Sequence, residues 1–339
     1  MECTMSDPYL LAASLLTVGP VSAPPPPPLV PNLFENLSAL LASAKADHSH
    51  SVVTQPIIPG VEIPGVEFSS SVSSRHFSAT TNQALTTNSI FPQPQSPVVS
   101  PKSGSQLYYQ RLAALNRGQT YTRLPADSFQ SVWGKATLAK PTHTQWKQLL
   151  AEEAKAMARG QGNNRLSILV GDSLSLWFPT ANLPSGQFWL NQGISGENSS
   201  QILERLSAFS QTRPDTIYVM AGTNDLRQGV RDRVILDNTR QIIQRLRQNH
   251  PQAQIIVQSI LPTRLSAIPS DRIRNLNQHI AAIAQQEGAG YLNLHRLFVN
   301  NQGQMQRELT TDGIHLARRG YAVWQEALNY ADALILASR

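Results

Sequence analysis

Cysteine is almost missing from this chain: Cys3 is the only one in 339 residues. That excludes a disulfide scaffold and any thiolate-rich zinc site. Charge is sparse too, with 15% Asp, Glu, Lys and Arg against a usual figure of about 25%. No run approaches the roughly 18 apolar residues of a membrane-spanning helix. No RNP, zinc-finger or helix-turn-helix pattern is present, so no specific nucleic-acid partner is expected. Lysine stops at Lys155, and all 17 basic residues of 161–339 are Arg.

What is present is unevenly spread. Residues 1–100 carry six acids and two bases, 101–160 nine bases and three acids, and 161–339 17 bases and 13 acids. The net +6 is therefore concentrated in the middle segment. That stretch can act as a solvated surface or make weak contact with an anionic surface. Pro24 to Pro28 form a five-proline run that favours an extended polyproline II segment, a form that docks into aromatic grooves of partner proteins. Residues 69–105 are rich in Ser, Thr, Pro and Gln and bury too little to offset their ordering entropy. Residues 1–104 are thus expected to be a disordered Pro/Ser/Thr-rich extension. Within them, the apolar run Tyr9–Val18 has signal-peptide length and Val21-Ser22-Ala23 resembles a cleavage site. Against this stand Glu2, Asp7 and the absence of a basic flank. The expected location is cytoplasmic, with export or membrane association through residues 9–23 as the alternative.

Residues 106–117 have helical spacing that stops at Gly118, and a second helix is predicted from Thr144 to Arg159. Residues 105–160 read as a basic helical lead-in. From residue 161 to 339 the texture changes. Apolar runs Leu166–Val170, Phe188–Leu190, Thr216–Met220, Ile255–Val257 and Tyr291–Leu294 have strand length and β-branched enrichment. Helical patterns lie between them, as at Ile273, Leu276, Ile280 and Ile283. This alternation predicts an α/β fold with a parallel sheet covered on both faces, whose ligands bind beyond the carboxyl ends of the strands.

The chemistry-bearing residues fall at those ends. The first strand runs into Gly171-Asp172-Ser173-Leu174, where Gly171 permits a tight turn and Ser173 stands at a helix N-terminus. The second ends in Asn191-Gln192-Gly193-Ile194-Ser195-Gly196, which makes the Gly193 N–H a candidate donor. The third ends in Gly222-Thr223-Asn224-Asp225, whose Asn224 can donate to a developing oxyanion without titrating. Near the C-terminus, Asp312-Gly313-Ile314-His315 can place a carboxylate beside an imidazole. Each block alone also reads as a cap or a turn. Together, in chain order, they meet the requirements of acyl transfer.

These four blocks resemble the SGNH, or GDSL, hydrolase family, and Gly320, Tyr321 and Trp324 fit that family's final helix. The resemblance covers about 165–339. It implies a flavodoxin-like three-layer α/β/α sandwich with five parallel strands in the order 2-1-3-4-5. It also implies a serine hydrolase without metal or other cofactor, with Ser173, His315 and Asp312 as triad. The oxyanion hole would be the Ser173 and Gly193 N–H groups and the Asn224 side chain. The nucleophile elbow Gly-x-Ser-x-Gly is absent, so the α/β-hydrolase fold is not the template.

Three further residues are candidates for substrate contact: Trp177 and Phe178 as the border of an acyl pocket, and Arg264 in the cleft. The expected activity is cleavage of a small-molecule, glycan or lipid ester, foremost an acetyl or short-chain ester. The alternatives are a lysophospholipase or thioesterase, or a scaffold whose Pro24–Pro28 arm binds a partner.

Overall fold

The computed structural model describes residues 100–125, 127–134 and 138–337. The polyproline run, the Tyr9–Val18 segment and the rest of the chain up to residue 99 lie outside the described residues. Helices α1 (Gly104–Asn116), α2 (Gln130–Trp133) and α3 (His143–Gly160) come first. Helix α1 ends as its sequence dictates: Gly118 takes φ 69° and the N–H groups of Gly118 and Gln119 bond back to Leu115 and Ala114. Only a residue without a Cβ adopts this left-handed cap freely. Helix α3 starts on a capping box, with the Thr142 hydroxyl accepting from Gln145 N–H and the Gln145 side chain accepting from Thr142 N–H.

The five strands are β1 (Leu166–Gly171), β2 (Phe188–Gly193), β3 (Thr216–Val219), β4 (Gln254–Gln258) and β5 (Gly290–Leu292). They form one sheet in the order β2-β1-β3-β4-β5, every pairing parallel. Between and after them lie α4 (Ser173–Leu176), α5 (Ser199–Glu204), α6 (Thr223–Arg227), α7 (Asp232–Asn249), α8 (Ser270–Gln286), α9 (His295–Phe298) and α10 (Arg318–Ala337). The flavodoxin-like order implied by the resemblance is the order found.

Two-residue alternation divides each strand between two cores. Ile168 and Val170 of β1, Ile217 and Val219 of β3, and Ile255 and Val257 of β4 pack under α7 and α8 through Ile242, Leu246, Leu276 and Ile280. Leu169, Tyr218 and Ile256, one step out of phase, face the other way and meet Tyr321, Trp324, Leu328 and Ile335 of α10. A third apolar cluster joins Leu107 and Tyr108 of α1 and Trp146, Leu149 and Leu150 of α3 to Leu176 and Ile194, beside the ends of β1 and β2.

The strand ends differ from the apolar runs that predict them, most of all at β2 and β5. Strand β2 continues through Asn191 and Gln192 to Gly193, in register with β1 up to Gly171. These polar residues are buried because their amides are used: Asn191 Nδ2 donates to the Ser175 carbonyl at 2.7 Å and Gln192 Nε2 to the Leu150 carbonyl at 3.1 Å. Strand β5 stops at Leu292 rather than Leu294, since Leu294 already has helical backbone and leads into α9.

Candidate active site

The turn from β1 into α4 leaves no room for a side chain at residue 171. A Cβ there would lie 2.7 Å from the Met220 carbonyl oxygen, so only glycine lets β1 and β3 close at this point. Asp172 follows as N-cap of α4, its Oδ1 accepting from the Leu174 N–H at 2.9 Å. Ser173 is then the first residue of the helix, mostly buried at 8% exposure. Its hydroxyl stands 3.1 Å from His315 Nε2.

His315 arrives on the loop before α10. Its Nδ1 is 2.6 Å from Asp312 Oδ2, while Asp312 Oδ1 accepts from the N–H groups of Ile314 at 3.0 Å and His315 at 2.8 Å. Partial desolvation pushes the Asp312 carboxyl up. The hydrogen bonds from the His315 ring and from these two N–H groups outweigh it and hold the carboxyl at about 2. An ionised Asp312 therefore faces Nδ1, which leaves Nε2 free to accept a proton from the Ser173 side.

Asn224 stands on α6, behind the nucleophile turn. Its Nδ2 donates to the Glu197 main-chain oxygen at 2.9 Å and, more weakly, to Asp172 Oδ2 at 3.2 Å. Its Oδ1 accepts from Arg227 at 3.1 Å, which fixes which way the amide points. Asp172 is 2% exposed. Burial raises its carboxyl to about 6, in spite of the Leu174 N–H bond and the nearby His315, with Asp225 adding to the rise.

Gly193 departs from its expected role. Its N–H is already accepted by Asn191 Oδ1 at 2.9 Å. A Cβ on it would come within 2.8 Å of Leu176 Cα and 2.9 Å of the Asp172 carbonyl. It is glycine because β2 presses directly on the back of α4, and its donor is spent inside the strand end. Further along, the Ile194 N–H bonds to the Gly171 carbonyl and the Glu197 N–H to Ile194. Exposed Gly196, at φ 85° and with open space where a Cβ would be, has an N–H without an acceptor among the described residues.

The three weaker candidates separate. Phe178 is buried at 2% exposure, edge-on to Tyr321 and Trp324, and serves the core. Trp177 is half-buried and, with Leu107, Tyr121, Leu124 and Leu176, lines an apolar cavity of about 100 Å³ whose lining includes neither Ser173 nor His315. Arg264 is tied to the catalytic loop: its N–H donates to the Gly313 carbonyl at 2.9 Å and its Nη1 to the Met305 carbonyl at 2.8 Å. It also edges a polar cleft with Asn300, Gln302 and Arg307.

Several residues that hold the site were not singled out from sequence. Arg205 and Glu197 form a buried ion pair at 2.6 Å, and Arg111, fully buried, pairs with Glu153 and donates to the Asn191 carbonyl at 2.7 Å. In the sequence they look like ordinary surface charges, and only Arg111 in an otherwise apolar helical stripe hinted at burial.

The chain is similar to known proteins. The family model of the GDSL-like lipase/acylhydrolases matches residues 127–323. Over 176 residues the chain is 28% identical to the platelet-activating factor acetylhydrolase IB subunit alpha1 of Pongo abelii, covering 48% of this chain and 73% of that one. The Homo sapiens protein of the same name is 28% identical over 173 residues, covering 48% and 73%. A solved structure from Streptococcus pneumonia, also named for platelet activating factor, superposes with a TM-score of 0.51 at 25% identity, covering 56% of this chain and 94% of that one. With a family match over more than half its length, the chain belongs to the GDSL-like lipase/acylhydrolase family and is a hydrolase acting on ester bonds.

Proposed function

We propose that the protein hydrolyses short-chain carboxylic esters, acetyl esters foremost, through an acyl-enzyme on Ser173. The observation that carries this is the aligned chain Ser173 Oγ to His315 Nε2 at 3.1 Å and His315 Nδ1 to Asp312 Oδ2 at 2.6 Å. In the first step Ser173 Oγ bonds to the ester carbonyl carbon as His315 Nε2 takes its proton. The tetrahedral intermediate collapses, the C–O bond to the alcohol breaks, and His315 returns the proton to the departing oxygen. Water then attacks the acyl-serine with His315 again as base, releasing the acid and free Ser173.

The developing oxyanion is held by the Ser173 N–H at the start of α4, by Asn224 Nδ2 and by the Gly196 N–H, which replaces Gly193 in this role. Asn224 reaches both sides of that hole, since it bonds to Asp172, next to Ser173, and to the Glu197 carbonyl, next to Gly196. Its longer bond to Asp172 is the one a substrate oxyanion displaces.

Support for a short acyl group comes from the relatives, whose printed names are those of an acetylhydrolase. The test is a series of p-nitrophenyl esters from acetate to palmitate. The reading predicts kcat/KM falling by at least tenfold between butyrate and octanoate. A maximum at octanoate or longer would replace it with a lysophospholipase or thioesterase reading.

A further inference from the structure

Glu197 is 1% exposed, yet its carboxylate draws partners from separate parts of the chain. Arg205 Nε donates to Oε2 at 2.6 Å, and Arg205 Nη2 continues to the Gly171 carbonyl at 3.1 Å, two residues before Ser173. The other oxygen, Oε1, is met by His143 Nε2 at 2.8 Å. The main-chain carbonyl of the same Glu197 receives Asn224 Nδ2. One residue thus joins the nucleophile turn, the Asn224 amide and the turn carrying Gly196 to a histidine 54 positions upstream.

His143 is well placed to act on that residue. It is the first residue of α3, directly after the Thr142 capping box, so the helix fixes where the ring stands. Helix α3 is itself held against the site by Trp146, Leu149 and Leu150 packed with Leu176 and Ile194. A carboxylate so far from water needs donors on both oxygens. Arg205 supplies one side and keeps Nη1 without a partner; His143 supplies the other, with a side chain 43% exposed at the rim. Without it, water enters at Oε1, and the Glu197 side chain and the Ile194–Glu197 turn gain freedom. An error of about 1 Å in a donor position is worth roughly 100-fold in rate.

We propose that His143 is a positioning residue for the oxyanion donors: through Glu197 it holds the Gly196 N–H and Asn224 Nδ2 where the intermediate on Ser173 needs them. The helical segment before the sheet is by this account part of the catalytic unit. The inference rests on Ser173 being the nucleophile and on Asn224 and Gly196 as donors.

The experiment compares wild type, Ser173→Ala, His143→Ala and His143→Gln on p-nitrophenyl acetate, with melting curves for each. His143→Ala lowers kcat by about ten- to a hundredfold with KM within threefold. His143→Gln, whose amide can still donate to Glu197, recovers to within threefold of wild type. The affinity of a trifluoromethyl ketone, whose hemiketal oxygen occupies the oxyanion hole, falls in His143→Ala by the same factor as kcat/KM, and a merely structural residue would not produce that match. The half-exposed ring leaves no core cavity, so the Ala variant melts within a few degrees of wild type. If Ser173→Ala abolishes activity while His143→Ala keeps full kcat and full ketone affinity, the inference is overturned and the triad stands. If Ser173→Ala retains activity, the reading beneath both falls. If His143→Ala fails to fold, His143→Gln decides: a folded, inactive Gln variant overturns the proposal.

Discussion

Ser173 Oγ and His315 Nε2 lie 3.1 Å apart although 142 residues separate them in the chain. Strand β1 delivers the serine at its carboxyl end, and the loop before α10 brings the imidazole back over the same edge of the sheet. Tyr321 on the first turns of α10 donates its hydroxyl to the Leu174 carbonyl at 3.1 Å, which locks that helix to the nucleophile turn. The distance between nucleophile and base is therefore set by core packing rather than by a flexible loop.

Asp312 fixes the tautomer. Asp312→Asn keeps a similar shape but presents an amide that no longer stabilises the imidazolium. It is expected to lower kcat by roughly 10³- to 10⁴-fold, with a melting temperature at pH 7 below that of wild type. In the wild type the carboxyl held at about 2 ionises more readily folded than unfolded. Its contribution to stability is present above about pH 4 and is lost as pH falls toward 2. Thermal melting between pH 5 and pH 2 reads this loss, which the Asn variant lacks.

Asn224→Ala removes one oxyanion donor and is expected to cost about 100- to 1000-fold in kcat with KM little changed. Steady-state kinetics on p-nitrophenyl acetate measure it. A loss below tenfold would remove Asn224 from the oxyanion hole.

Asp172 titrates in the opposite sense to Asp312. Its folded carboxyl is raised to about 6, so the folded state holds the proton longer than the unfolded one. Native stability is favoured at low pH and declines as pH rises from about 4 to about 6, by something on the order of 3 kcal/mol. Asp172→Asn abolishes this dependence. Wild type therefore loses melting temperature relative to the variant from pH 4.5 to pH 7.5; a wild type that gains on the variant over that range would contradict the assignment.

Gly193→Ala separates a packing glycine from a donor. A Cβ 2.8 Å from Leu176 Cα forces β2 away from α4, an overpacking expected to cost about 1–3 kcal/mol. The melting temperature falls, and activity falls with it as α4 shifts. If the variant melts like wild type, the close contact between β2 and α4 is wrong.

The apolar runs that define strands, such as Leu166–Val170 and Thr216–Met220, were legible in the sequence because parallel strands buried on both faces tolerate almost nothing else. The extension of β2 over Asn191 and Gln192 was not, since polar residues enter a core only when specific partners, here Ser175 and Leu150, wait for them. The four blocks brought Ser173, Asn224, Asp312 and His315 to one edge of the sheet, as their spacing predicted. Choosing among the glycines of the β2 turn needed coordinates, because the sequence does not show that the Gly193 N–H is already taken while the Gly196 N–H is not. His143, Glu197 and Arg205 were silent in sequence: their meaning depends on a contact across 54 residues, and nothing local distinguishes them from solvated charges.

The central claim is that Ser173 carries the acyl group, and the most direct measurement is the intact mass of the protein quenched during turnover of p-nitrophenyl acetate. Wild type should show a mass increase of one acetyl group, located on the peptide that contains Ser173, and Ser173→Ala should show neither adduct nor turnover above background while melting like wild type. Steady turnover by Ser173→Ala, or an acetyl adduct on another residue that forms and decays at the catalytic rate, would contradict the account.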